Sequence, residues 1–196
     1  MKKLFLFILG ICFCYSVFAQ QKNIIGIYAG YEYSSDGTCN KTYGGNYKPK
    51  EHGFTIAANY ERLLKNNWAI GAAVNYSGLV SKSGILDLYY WKYYCNIIGQ
   101  SFKTSKYFGN MNKFYGFVSW GLTWEMRFNS EYIKISFFWE NLFPIFAEVG
   151  CGYWITDKWS VFTSFKANYD IVNFFNIKND WNNYSLNAML GVKYRF

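Results

Sequence analysis

The chain has 196 residues, 23% of them aromatic and 16% charged, with a formal net charge of +8. That length suits a single domain, and a surface so rich in Tyr, Phe and Trp with so few charges is a poor match to water. The positive charges are scattered rather than clustered, which argues against nucleic acid; a single histidine, His52, and cysteines without metal-ligand spacing argue against a zinc site.

Residues 1–19 come first in chain order. Lys2 and Lys3 precede an apolar run from Leu4 to Phe18 that ends at Ala19, before Gln20. The run is shorter than the ~20 residues a spanning helix needs, so it reads as a cleaved secretory signal, leaving 20–196 as one mature domain. Cys12 follows Ile11 and Cys14 follows Phe13, which does not suit lipoprotein processing. Loss of Lys2 and Lys3 takes two charges from +8 and leaves +6. An exported basic chain meets anionic lipopolysaccharide rather than nucleic acid.

Beyond the signal no apolar stretch is long enough to cross a bilayer as a helix, so the chain could span one only as a closed barrel. Period-two alternation predicts the strands. The first sets Ile25, Ile27, Ala29, Tyr31 and Tyr33 against Gly26, Tyr28, Gly30, Glu32 and Ser34. The second sets Phe54, Ile56, Ala58 and Tyr60 against Thr55, Ala57, Asn59 and Glu61; the third runs from Trp68 to Ser77 with Gly71 and Asn75 on its polar face. The fourth is placed at Ile98 to Phe108, with Gly99, Ser101, Lys103, Ser105 and Tyr107 inward, and a rival register occupies Leu88 to Ile97. The fifth, Val118 to Arg127, turns Gly121, Glu125 and Arg127 inward, and the sixth, Ile145 to Ile155, turns Phe146, Glu148, Gly150 and Gly152 inward. The seventh, Trp159 to Asp170, turns Lys166 and Asp170 inward, and the eighth, Tyr184 to Phe196, turns Lys193 and Arg195 inward.

Connections at 63–67, 109–113 and 156–158 are short, whereas 35–51, 79–97, 129–143 and 171–183 are long. Outer-membrane barrels show this asymmetry, with the short side periplasmic. About ten residues per strand at ~3.3 Å, tilted ~45°, give roughly 23 Å against an apolar band of ~25 Å. A soluble lipocalin-like ligand carrier also alternates and is the competing architecture. Two features oppose it: charges and seven glycines share the polar face, and aromatics such as Tyr31, Tyr60, Trp68, Tyr76, Trp159 and Tyr194 gather near the ends of the apolar face, as in interfacial girdles.

Three stretches carry a family resemblance: Tyr60-Glu61-Arg62-Leu63 leading into Trp68-Ala69-Ile70-Gly71; Gly150-Cys151-Gly152-Tyr153 leading through Thr156-Asp157-Lys158 into Trp159; and the terminal Gly191-Val192-Lys193-Tyr194-Arg195-Phe196. With them the chain resembles the small outer-membrane β-barrel proteins of Bacteroidota, akin to eight-stranded OmpA and OmpX type barrels, porin-like in architecture. The resemblance implies an all-β, eight-stranded antiparallel up-and-down transmembrane barrel. It also implies that Leu190, Val192, Tyr194 and Phe196 form the signal read by the barrel-assembly machinery.

Eight strands enclose a space that side chains fill, so the inward charges are expected to pair. They are Glu32, Glu61, Lys103, Glu125, Arg127, Glu148, Lys166, Asp170, Lys193 and Arg195, five acids and five bases. Strand direction puts Glu125, Arg127, Glu148 and Lys166 in the extracellular half and Glu61, Lys193 and Arg195 at the periplasmic end. The network reads as structural, with ion conduction or gating the other use open to it. Lipid A-modifying enzymes of this architecture need a histidine beside a serine. Here only His52 is available, with Ser34 or Ser35 as neighbour, and no motif of that kind is present. Cys39 and Cys95, both in proposed outer loops, are candidates for a disulfide, and Cys151 is expected to face lipid.

Loop stretches such as Tyr89-Tyr90-Trp91-Lys92-Tyr93-Tyr94 and Phe137-Phe138-Trp139 suit protein or glycan contacts, or else extend the strands above the membrane. The expectation is therefore a monomeric, cofactor-free, non-enzymatic barrel of a Gram-negative outer membrane, structural or adhesive through its outer loops. Its partners would be membrane lipids, lipopolysaccharide and an envelope or host protein or glycan. An envelope binding module, or a secretion or assembly partner, is the alternative.

Overall fold

The computed structural model describes residues 22–35, 50–85, 89–131, 138–170 and 184–196. The strand segments are β1 (Asn23–Ser35), β2 (Lys50–Leu63), β3 (Trp68–Ile85), β4 (Tyr89–Gly109), β5 (Phe114–Glu131), β6 (Phe138–Leu142), β7 (Pro144–Trp154), β8 (Trp159–Asp170) and β9 (Tyr184–Arg195). Successive segments pair antiparallel, and β1 with β9 closes the circle. Segments β6 and β7 form one strand, because both pair with β5 in a single register, Glu125 opposite Leu142 and Leu122 opposite Ile145. The break falls at Phe143–Pro144, where proline has no N–H to give the ladder. The fold is a closed eight-stranded antiparallel up-and-down β-barrel.

Alternation decides the two faces. Ile27, Val74, Phe102, Leu122, Val149 and Leu190 are exposed on the outside, while Ser77, Ser105, Ser119, Glu61 and Lys193 are buried inside. A water-soluble barrel of the lipocalin kind has the opposite arrangement, since it must bury its apolar face. Aromatics mark the rims of the outer face. Near the short turns Trp159 packs on Tyr194 at 4.8 Å, Tyr194 stacks on Phe196 at 6.2 Å, and Trp68 meets Trp120 edge-on at 5.6 Å. Towards the other end Phe54 lies 5.9 Å from Tyr76, whose hydroxyl donates to Asn96 at 2.6 Å.

Two expectations need correcting. The rival registers for the fourth strand are parts of one strand, since β4 runs for 21 residues and pairs with β3 without interruption from Trp68–Lys106 to Ile85–Tyr89. The proposed long loops at 79–97 and 129–143 are likewise largely strand: β3 and β5 each span 18 residues, and Phe138–Leu142 pairs back onto β5. At ~3.3 Å per residue and a ~45° tilt, β4 reaches about 50 Å along the barrel axis, twice the ~25 Å apolar band. The ladder continues beyond the band because backbone N–H and C=O groups are satisfied most directly by pairing.

The turn between β2 and β3 is a single 3-10 turn, Lys65–Asn67, in which Asn66 and Asn67 take left-handed φ values of 59° and 60°. Asparagine tolerates that region better than other residues with a Cβ.

Candidate functional site

The lumen is where the fold concentrates chemistry. Glu61, fully buried on β2, is its centre. It forms an ion pair with Lys103 of β4, accepts a hydrogen bond from the Tyr107 hydroxyl and another from Asn59 Nδ2 at 2.7 Å, and has Lys193 Nζ of β9 at 4.0 Å. Lys103 Nζ is also 3.9 Å from Glu148 of β7. Lys193 donates to the Tyr107 hydroxyl at 2.9 Å, and its ammonium sits 4.2 Å from the Phe117 ring, 4.7 Å from Phe162 and 5.0 Å from Tyr107. Carboxylates and ring faces thus share two buried ammonium groups, which is how charges are tolerated in such a space.

Three glycines make these reaches possible. In register across the wall, Gly71 lies between Glu61 and Lys103, Gly121 between Lys103 and Phe146, and Gly26 between Asn59 and Lys193. With no side chain on the intervening strand, Lys103 extends sideways to Glu61 on one flank and towards Glu148 on the other. A Cβ on Gly26 would fall 2.2 Å from Asn59 Oδ1, and one on Gly121 would fall 1.9 Å from the Phe102 carbonyl oxygen.

Towards the short turns an aromatic plug closes the barrel. Tyr107, Tyr115, Phe117, Trp154 and Phe162 pack together with Tyr28 and Met189, and the Tyr115 hydroxyl bonds Ser160 at 3.1 Å. Arg195 lies 4.3 Å over the Trp154 ring and donates to the carbonyls of Asp157, at 2.7 Å, and Met111, at 3.0 Å, tying two turns together. Towards the other end Ser77 donates to Glu32 at 2.5 Å, Asn168 donates to Ser185 at 2.7 Å, Lys166 Nζ lies 4.3 Å over the Phe146 ring, and Arg127 pairs with Glu51 at 3.7 Å. A cavity of about 10 Å³ is bordered by Glu32, Glu125 and Lys166, and one of about 20 Å³ by Glu125, Arg127 and Asp170. Each has room for about one water molecule.

All ten inward charges expected from the sequence therefore face the lumen, Lys166 half-buried and the others buried. Two groupings differ from expectation. Glu148 approaches Lys103 as well as standing opposite Lys166 in the ladder, because strand stagger brings β7 down to β4 across Gly121. Arg195 does not join Glu61 but caps the turns. Glu51, within the 35–51 connection expected from the sequence, belongs to β2 and is buried: the alternation carried back from Thr55 through residues 53 and 51 turns it inward. Tyr107, inward by the same alternation, is a partner of Glu61 that a count of charges does not reveal, because its hydroxyl is neutral.

Leu190, Val192 and Tyr194 lie on the outer face of β9, and Phe196, just past its end, is exposed and exchanges backbone hydrogen bonds with Asn23 at 2.8 and 3.0 Å. Cys39 lies outside the described residues, as do residues 1–21. Cys95 is buried, opposite Leu79 of β3, and Cys151 is half-buried on the outer face. His52 is exposed, 6.4 Å from the Tyr31 ring, whereas Ser34 is buried in the lumen with Arg127 Nη2 3.5 Å away, so these two do not come together; Ser35 is buried at the end of β1, opposite Lys50. Among the described residues no group of three His, Cys, Asp or Glu is placed to hold a metal ion.

Comparison with solved structures finds the same architecture at low sequence identity. Neisserial surface protein A matches with a TM-score of 0.60 and 13% identity, over 89% of this chain and 97% of its own. The outer membrane protein OprG of Pseudomonas aeruginosa gives 0.57 and 11%, over 90% and 97%. Ail, the attachment invasion locus protein of Yersinia pestis, in complex with the heparin analogue sucrose octasulfate, gives 0.55 and 14%, over 90% and 99%. No protein-family model matches the sequence, and none of the curated proteins does.

Proposed function

We propose that this chain is a non-enzymatic integral protein of a Gram-negative outer membrane, an OmpA/OmpX type barrel of a Bacteroidota envelope, that presents its outer loops for structural or adhesive contact. The observation that carries the reading is the inverted barrel: an apolar exterior rimmed by aromatics around a lumen filled by an ion-paired network and an aromatic plug. A lumen filled by side chains, with water-sized cavities beside Glu125 among the described residues, suits an anchor rather than a diffusion pore. Residues 1–19 are its export signal, and Leu190, Val192, Tyr194 and Phe196 its assembly signal. His52 faces out and Ser34 faces the lumen, so these two residues do not form a hydrolytic pair.

Contact with an anionic glycan or lipopolysaccharide is favoured by the formal charge of +6 that remains when Lys2 and Lys3 are taken from +8, and by the sulfated ligand bound to the fold's Ail neighbour. The test is to retain the protein in carbonate-washed outer membranes and compare its gel migration with and without boiling. Retention with a heat-dependent shift is expected, together with failure to admit sugars into loaded liposomes. Release as a soluble protein without a shift would overturn the reading.

A further inference from the structure

Two stretches of wall border the lumen cavity of about 10 Å³. On one side Glu32 of β1, Asn187 of β9 and Lys166 of β8 stand level in the ladder. On the other, Asn75 of β3 and Glu125 of β5 flank Gly99 of β4, and the Asn75 amide lies across that bare glycine, where a Cβ would fall 2.4 Å from its Oδ1. Asn168 of β8 borders the same cavity. Asn168 and Asn187 are only 7% and 4% exposed, and the Oδ1 of each, like that of Asn75, receives no hydrogen bond. The orientation of Asn168 is set by its Nδ2, which donates to Ser185 at 2.7 Å and so turns the carbonyl oxygen the other way. Ser77 donates to Oε2 of Glu32 at 2.5 Å.

Charge around this cavity does not balance. Deeper in the lumen Glu61 and Glu148 share the ammonium groups of Lys103 and Lys193. Towards the mouth Arg127 pairs with Glu51, and Asp170 borders the neighbouring cavity with Arg127. Between these groups Glu32 and Glu125 have one ammonium, Lys166, which lies 4.3 Å over the Phe146 ring. A water molecule has two hydrogens to give, too few for three amide oxygens and two carboxylates, whereas a cation can be met by all of them. Carboxylate and amide oxygens are the donors that suit hard cations, and such oxygens can replace part of an ion's hydration shell. The cavity has room for about one water, and an alkali ion is of similar size. A surplus of one negative charge, with no third carboxylate on the cavity among the described residues, matches a single positive charge. We infer that this cavity is a binding site for one monovalent alkali cation, sodium or potassium, held by the carboxylates of Glu32 and Glu125 and by the amide oxygens of Asn168 and Asn187, with Asn75 facing them from β3. Bound there, the ion joins β1, β8 and β9 to β3 and β5 across the lumen and acts as the counterion that Lys166 alone does not supply.

The experiment takes the folded mature barrel in a non-ionic detergent, freed of alkali ions in N-methylglucamine chloride, and replaces that salt by sodium or potassium chloride at constant ionic strength. Sodium-23 line broadening reads binding directly, and urea unfolding reads its linkage to stability. Wild type is expected to broaden the sodium line beyond a detergent blank, and at ten times Kd the unfolding constant should fall about tenfold relative to N-methylglucamine. E125Q is expected to weaken binding by about tenfold or more, since a charged ligand is lost, and N187L by about fivefold. Q100L, which removes an amide from the exposed outer face of β4, should respond to sodium as wild type does. Should E125Q fold poorly, wild type and N187L decide the case. Stabilisation of wild type by N-methylglucamine as strong as by sodium and potassium would overturn the inference and leave the cavity to water. So would an ion response in E125Q and N187L equal to that of Q100L, or a response to magnesium or calcium alone.

Discussion

Glu61→Gln is the sharpest probe of the lumen. Glu61 is completely buried and balances two ammonium groups, Lys103 and Lys193, while accepting from Tyr107 and Asn59. The amide keeps the shape but removes the charge and turns donor hydrogens towards donors. Lys103 is left with Glu148 at 3.9 Å, and Lys193 with the Tyr107 hydroxyl and the rings around it. Breaking a buried ion pair from one side costs about 3–5 kcal/mol, so E61Q should lower unfolding free energy by that amount. Adding Lys193→Met removes the surplus cation and puts an apolar chain among Phe117, Phe162 and Tyr107, leaving Lys103 and Glu148 as a pair. The double variant should therefore be more stable than the sum of the single losses predicts, by about 1–3 kcal/mol. Urea unfolding in lipid vesicles, followed by tryptophan fluorescence, measures all four corners of the cycle. A loss below about 1 kcal/mol for E61Q, or additivity within about 0.5 kcal/mol, would refute the view that these charges act as one network.

Other consequences follow from the same geometry. Leu190 is 68% exposed on the outer face of β9, so Leu190→Arg should cost about 2–4 kcal/mol in a bilayer if that face meets lipid near mid-depth; an unchanged vesicle unfolding curve would contradict a lipid-facing β9. Gly121→Ala drives a Cβ to 1.9 Å from the backbone oxygen of Phe102 and crowds the path of Lys103, with an expected loss of about 1–3 kcal/mol; wild-type stability in the same assay would show that the wall yields freely. Arg195→Gln should loosen the turns that hold Asp157 and Met111, read as faster amide hydrogen exchange in residues 110–113 and 155–158 with slow exchange kept in mid-barrel; unchanged exchange there would deny Arg195 its capping role.

Much of this protein was legible in one dimension. Strict alternation such as Tyr184 to Phe196 fixes which side chains face out and which face in, because a strand has only two faces, and that parity alone turned Glu61, Lys103 and Lys193 inward. The short turns were legible too, as at Lys65-Asn66-Asn67, where consecutive asparagines suit left-handed backbone. The extent of the strands was not: Tyr89 to Ile97 reads equally as loop or strand until β3 and β5 are known to continue beside it and pair with its backbone. The partners within the lumen were not legible either. Parity says that Glu148 points inward, but only the stagger of neighbouring strands, with bare Gly71 and Gly121 flanking Lys103, decides that its carboxylate shares Lys103 with Glu61. A face is a local property of the chain, whereas a contact across a closed barrel depends on the register of every strand between.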